Sequence, residues 1–275
     1  MQKDRSAMSD IDEMTRYDTV LEARNLGIRY SAASSLVLDS ISLEVRRGET
    51  VTIIGASGCG KSTLLRILSG LLDPTLGSVS IRSELSGDDD QGGMNARIMV
   101  FQDLGLLPWR TVRGNVSFGM ELAGIDRATR ATRVNEFLAL VGMDSYDRLF
   151  PYQLSGGMAQ RTALARALVL KPAVLLLDEP FAALDAQTRL NMQLELCRLT
   201  ESLKMTTLLV THAIDEAVFV ADRVIVLGGS PSHIVQEFPI DLPKPRSLEV
   251  RDLPEFKSVV DEVFACLRDD IVGRM

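Results

Sequence analysis

The chain has 275 residues, 46% hydrophobic and 24% charged, which is a globular composition and excludes disorder as the overall state. Its formal charge is −7 with a pI near 5.0, and this argues against nucleic acid as a partner, since such binding rests on a basic surface. Three widely spaced cysteines, Cys59, Cys197 and Cys266, form neither a metal-ligand cluster nor a disulfide framework, and they fit a reducing cytosol. Residues 1–18 are polar and aperiodic and read as a loose tail without a secretory h-region. From Thr19 onwards short strand-like runs appear, among them Leu36-Val37-Leu38 and the alternating Ser40–Val45. Thr50-Val51-Thr52-Ile53-Ile54 reads as a buried strand, followed by a glycine-rich loop and a helix starting near Lys61. Gly77–Ile81 alternates again, Ser83–Asn95 is a Gly/Asp loop, and Arg97–Phe101 is a short strand. The acids Asp88–Asp90 of the Ser83–Asn95 loop read either as solvated or as a cation site.

Residues 105 to about 170 are helical in pattern, interrupted at Pro108 and Pro151. Ala173–Leu177 is a solid apolar strand. Residues 187–203 form an amphipathic helix, with Leu190, Leu194 and Cys197 expected on its inner face. Thr206–Val210 and Arg223–Leu227 are two more strands. Pro243 and Pro245 mark a linker. Beyond it, Phe256, Val259, Val260, Val263, Phe264 and Leu267 share one side of a C-terminal helix, either packed on its own domain or free for dimer support or regulation. No stretch approaches the ~20 apolar residues of a membrane span. Strands alternating with helices predict a mostly parallel sheet covered on both faces.

Gly55-Ala56-Ser57-Gly58-Cys59-Gly60-Lys61-Ser62, followed by Thr63, fits G-x-x-x-x-G-K-[ST] between a strand and a helix. Glycines let successive N–H groups turn towards phosphate oxygens, and the helix N-terminus adds partial positive charge. Lys61 is then placed for the β- and γ-phosphates and Ser62 for Mg²⁺. Cys59 reads either as a small residue without chemistry or as a reactive thiol that nucleotide would shield. Leu175-Leu176-Leu177-Asp178-Glu179 is an apolar strand ending in two acids. Ligands of parallel sheets sit at such strand ends, so Asp178 is expected at Mg²⁺ and Glu179 at the attacking water as general base.

Leu154-Ser155-Gly156-Gly157-Met158 precedes the paired acids by a short helix. It resembles the LSGGQ-type signature of ABC ATPases, with Met158 in the usual Gln position. Val100-Phe101-Gln102-Asp103 resembles that family's Q-loop, Ala183-Leu184-Asp185 its D-loop and Thr211-His212 its switch histidine. Tyr30 stands where the family has its adenine-stacking aromatic, core packing being the alternative. The resemblance implies an α/β P-loop NTPase core with a mostly parallel sheet, an antiparallel β subdomain and an inserted helical signature subdomain. It places the ATPase domain at 19–242, its helical part at about 105–165, and a linker with helix at 243–275. It further implies ATP and Mg²⁺ as cofactors, with Gln102 near the metal and His212 sensing the γ-phosphate. Ser155, Gly156, Gly157 and Asp185 would meet ATP held by a second ATPase subunit, giving two ATP in one homodimer or heterodimer. Gln102–Val112, with Leu107-Pro108-Trp109, and Phe238–Pro243 look like the nitrate/sulfonate/taurine importer group. Gly228–Ser232 replaces that group's usual Arg-Pro-Gly turn. Within that group the expected partners are integral-membrane permeases and an extracytoplasmic substrate-binding protein, and the expected place is the cytoplasmic face of the inner membrane. The alternatives are another ABC system, including an exporter, or a soluble ABC ATPase. Trp109 reads either as a core plug or as an anchor for a permease helix.

Overall fold

A computed structural model describes residues 18–31, 35–82 and 96–272. The expected tail, apart from Asp18, and the acidic loop 86–93 lie outside them. In chain order the described elements are β1 (Thr19–Ile28), β2 (Leu38–Arg46), β3 (Thr50–Gly55), α1 (Lys61–Ser69), β4 (Leu76–Ile81) and β5 (Arg97–Val100). Next come α2 (Val112–Leu122), α3 (Arg127–Leu140), α4 (Gly156–Leu168), β6 (Val174–Asp178), α5 (Ala186–Leu203) and β7 (Thr206–Thr211). The last are α6 (Ile214–Val220), β8 (Arg223–Gly229), β9 (Ser232–Pro239) and α7 (Pro254–Val272).

The described strands join one sheet in the order β4-β1-β2-β9-β8-β3-β7-β6-β5. From β8 to β5 all neighbours run parallel, while β1 pairs antiparallel with both β2 and β4. Side chains of a strand point alternately to the two faces, and the core divides accordingly. Ile54, Leu175, Leu177, Leu209, Val224 and Val226 face the layer of α2 to α7. Ile53, Val174, Leu176, Leu208, Val210, Ile225 and Leu227 face α1 and the antiparallel strands. Strands buried on both faces are why these segments read as continuous apolar runs rather than alternating ones.

Two sequence expectations change, and the alternatives for the C-terminal helix are decided. β9 was not expected; it pairs antiparallel with β8, and its solvent-facing His233, Gln236 and Glu237 hide the apolar alternation. The inner face of α5 is centred on Met192, Leu196, Cys197 and Leu199, whereas Leu190 and Leu194 lie at its boundary. The difference arises because buried Gln193 and Thr200 are polar, so apolar spacing alone misplaces the stripe. The C-terminal helix α7 packs on α6, β8 and β9 through Phe256 and Val263, leaving Phe264 exposed.

β3, β7 and β6 are consecutive neighbours and parallel, so their C-terminal ends at Gly55, Thr211 and Asp178 open onto one rim. This arrangement brings three segments far apart in the chain to one place.

Candidate active site

The loop after β3 turns through Gly58 (φ 78°) and Gly60 (φ 93°), both in the left-handed region that glycine reaches without strain. A Cβ at Gly55 would lie 2.6 Å from the Leu227 carbonyl oxygen and 2.7 Å from Cys59 Sγ, so the loop closes only over glycine. Cys59 is buried beneath it, which removes the exposure that thiol reactivity requires. The buried Lys61 ammonium donates to the carbonyl oxygens of Gly55 (2.9 Å) and Ala56 (3.1 Å), which holds it across the loop. The Ser62 hydroxyl donates to Asp178 Oδ1 at 3.0 Å. Burial pushes the Asp178 carboxyl above the usual carboxylate range, opposed by the Ser62 hydrogen bond, while the Glu179 charge adds to the rise. Ser62 and Asp178 are hard oxygen donors of the kind Mg²⁺ takes, and a cation there would offset the cost of ionising Asp178. Among the described residues no three His, Cys, Asp or Glu side chains cluster as a metal site. A two-donor set of this kind fits a cation whose remaining ligands are phosphate and water.

Glu179 follows directly at the strand end, with φ 46° and its N–H bonded to the Val210 carbonyl at 2.9 Å. A non-glycine residue held there stores about 1–2 kcal/mol of backbone strain. His212 Nδ1 lies 3.2 Å from Glu179 Oε2. Tyr30 is exposed just beyond β1, which excludes its core-packing role, and its hydroxyl is 2.8 Å from Thr63 Oγ1. Tyr30, Ser57, Gly58, Gly60, Lys61, Ser62, Thr63, Glu179 and His212 line one cleft, together with Val37. Val37 was read only as part of an apolar strand; its proximity to Gly60 brings it to the rim.

Gln102, Ser155, Gly156, Gly157 and Asp185 are not among the residues that line this cleft. Gln102 is exposed two residues after the end of β5. Ser155 caps α4, accepting from the Met158 N–H. Cβ atoms at Gly156 and Gly157 would come within 3.1 Å of Leu184 and 2.9 Å of Thr188, so the signature turn packs on the start of α5. Asp185 caps that helix by accepting from the Thr188 N–H at 3.0 Å, and this bond holds its carboxyl below the usual range. Two residues outside the sequence reading shape the segment after Gln102. Fully buried Asn115 bonds the backbone at Leu107, Arg110 and Thr111. Arg166 of α4 donates to the carbonyls of Leu104 and Gly105. Asn115 thereby holds the turn that carries Trp109 outward, and Trp109 is 71% exposed, which excludes the core-plug reading. A polar residue within an apolar helix face was the signal for Asn115.

The sequence profile described as ABC transporter matches residues 38–182, more than half the chain. The chain belongs to the ABC transporter family. It is 42% identical over 274 residues to an uncharacterized ABC transporter ATP-binding protein of Methanocaldococcus jannaschii, covering 99% of this chain and 98% of that protein. It is 42% identical to the nitrate import ATP-binding protein NrtD of Synechocystis sp., covering 86% and 89%. It is 48% identical to an aliphatic sulfonates import ATP-binding protein of Xanthomonas axonopodis pv. citri, covering 78% and 84%. An ABC cassette solved as a dimer in a post-hydrolysis state with ADP and Pi superimposes with a TM-score of 0.67 at 31% identity, covering 80% and 98%. The P-loop architecture and the ATPase activity of this ABC protein follow from that membership, and the cleft described above is where its nucleotide chemistry is to be sought.

Proposed function

We propose that this ABC ATPase energises the import of a small oxyanion such as nitrate, an aliphatic sulfonate or taurine. The carrying observation is the Gln102–Val112 segment, held by Asn115 and Arg166 so that Trp109 projects from the surface. The similarity to nitrate and aliphatic sulfonate import proteins supports the same reading.

In the proposed chemistry, Tyr30 stacks on adenine, the N–H groups of Gly55–Thr63 surround the phosphates, and Lys61 reaches the β- and γ-phosphates. Ser62 and Asp178, with Gln102 brought near, would hold Mg²⁺, and the ion would offset the charge of the phosphates. Glu179 takes the proton of the attacking water, and His212 orients Glu179 and meets the γ-phosphate. The contact between His212 and Glu179 supports this division of labour. Ser155, Gly156, Gly157 and Asp185 do not line that cleft, which supports a role towards ATP held by a second copy across a two-fold axis. Among the described residues no helix is long and apolar enough to cross a membrane. In this reading the transport path belongs to separate permease subunits, with this chain at the cytoplasmic face of the membrane and a substrate-binding protein on the other side.

The test is Trp109→Ala in co-purification from solubilised native membranes. Exposed Trp109 contributes little to folding, so ATPase activity of the isolated variant is expected within about twofold of the parent. An aromatic anchor truncated at an interface costs about 2 kcal/mol or more, so recovery of the permease is expected to fall by about 30-fold. Equal recovery of a permease with both proteins would contradict the docking role of this segment.

A further inference from the structure

Behind the His212 turn lies a buried polar chain that none of the motifs above includes. Glu216 of α6 is 6% exposed and accepts hydrogen bonds from the Thr211 hydroxyl and from Gln193 Nε2, the latter at 3.1 Å. The same Thr211 oxygen accepts from the Ala213 N–H at 3.1 Å. Residues on both sides of His212 are therefore tied to one carboxylate. Gln193 of α5 is 2% exposed, and its Oε1 accepts from Arg251 Nη2 at 2.6 Å. Arg251 belongs to the segment that leads into α7, and its guanidinium lies 4.4 Å from the Phe219 ring centroid and 5.8 Å from that of Phe256.

These groups sit inside a layer of apolar side chains that includes Met192, Leu196, Phe219 and Phe256. A polar chain there costs desolvation, and Arg251 Nε has no hydrogen-bond partner among the described residues. Apolar residues of similar volume would fill the space at no such cost. What a hydrogen-bonded chain supplies and an apolar core does not is a fixed orientation for the backbone it grips. The backbone gripped here is the turn carrying His212. The groups facing Glu216 are Thr211, Gln193, Arg189, His212 and Arg251, so guanidinium charge reaches the carboxylate from α5 and from the C-terminal segment.

We propose that Arg251, Gln193 and Glu216 are positioning residues that hold His212 against Glu179, making the C-terminal segment part of the hydrolytic apparatus. The proposal rests on the reading of His212 given above. The chain also joins α5, whose first turn packs on the signature glycines, to α6. The helix after the D-loop and the turn that carries His212 are thus linked by one hydrogen-bonded chain.

The test uses the full chain and two readouts: steady-state ATP turnover, and amide hydrogen exchange of residues 211–216. Arg251→Ala is expected to lower kcat about tenfold with KM within about twofold, since misplacing a catalytic group acts on turnover. It is also expected to speed exchange at 211–216. Arg251→Lys, which keeps a donor for Gln193 and a cation on Phe219, is expected to recover much of both. The double variant with His212→Ala is expected to match His212→Ala alone, because both act through one group. If Arg251→Ala does not fold, Gln193→Ala breaks the same link from α5 and carries the same expectations. Unchanged exchange at 211–216 would overturn the network. Independent, multiplying effects of Arg251→Ala and His212→Ala would overturn its action through His212. Normal turnover in His212→Ala would instead overturn the sensor reading, and with it the catalytic half of the proposal.

Discussion

Replacing Glu179 by Gln is expected to lower ATP turnover by roughly 10²–10⁴-fold while nucleotide affinity stays within about twofold. The reason lies in what the substitution keeps. Gln retains the volume and a carbonyl oxygen able to accept from His212, whose Nδ1 is 3.2 Å from the carboxylate. It retains the same strained backbone too, since Gln at φ 46° is no better accommodated than Glu. Folding and the shape of the cleft are therefore preserved, and what is lost is the ability to take a proton from water. Steady-state turnover together with equilibrium binding of ATP separates the two effects. Turnover at the parental rate would remove Glu179 from the role of base. A parallel loss of binding would mean that the carboxylate acts on the bound metal rather than on water.

Lys61→Met is expected to weaken ATP binding by about 2–5 kcal/mol, or roughly 30- to several-thousand-fold. Lys61 is 6% exposed and its ammonium spans the Gly55 and Ala56 carbonyls, so it is fixed before nucleotide arrives. Methionine has a similar length and no charge, and it leaves two carbonyl oxygens without their donor. Nucleotide titration by calorimetry or fluorescence reads the affinity, and a thermal unfolding midpoint shows how much is lost from folding. Affinity within threefold of the parent would show that the loop N–H groups and the helix N-terminus suffice to hold phosphate.

Much of this fold was legible because its parallel strands are buried on both faces. Val174–Leu177 and Leu208–Val210 are unbroken apolar runs, Val51–Ile54 is interrupted only by buried Thr52, and each strand leads into residues of the cleft. The cradle and the paired acids were legible because their chemistry is local: glycine where the backbone must turn, acids at a strand end. The unread parts depend on contacts distant in sequence. β9 is polar along its outer face and owes its place to pairing with β8. The inner face of α5 is set by Gln193 reaching Glu216 and Arg251, and no spacing of apolar residues encodes that. Arg166 bonds the backbone carbonyls of Leu104 and Gly105, an interaction that leaves no pattern in side-chain types, and for Asn115 the one trace was a polar residue within an apolar helix face. Trp109 could be core or surface by type alone. The turn that Asn115 organises decides for the surface.

ATP-dependent uptake of labelled nitrate and taurine, compared in cells with and without this chain, addresses the importer reading most directly. Loss of uptake of one of these oxyanions in its absence, restored by the parent chain and not by the Glu179→Gln variant, is the expected result. Uptake of nitrate, sulfonates and taurine that continues at the parental rate without the chain would contradict it.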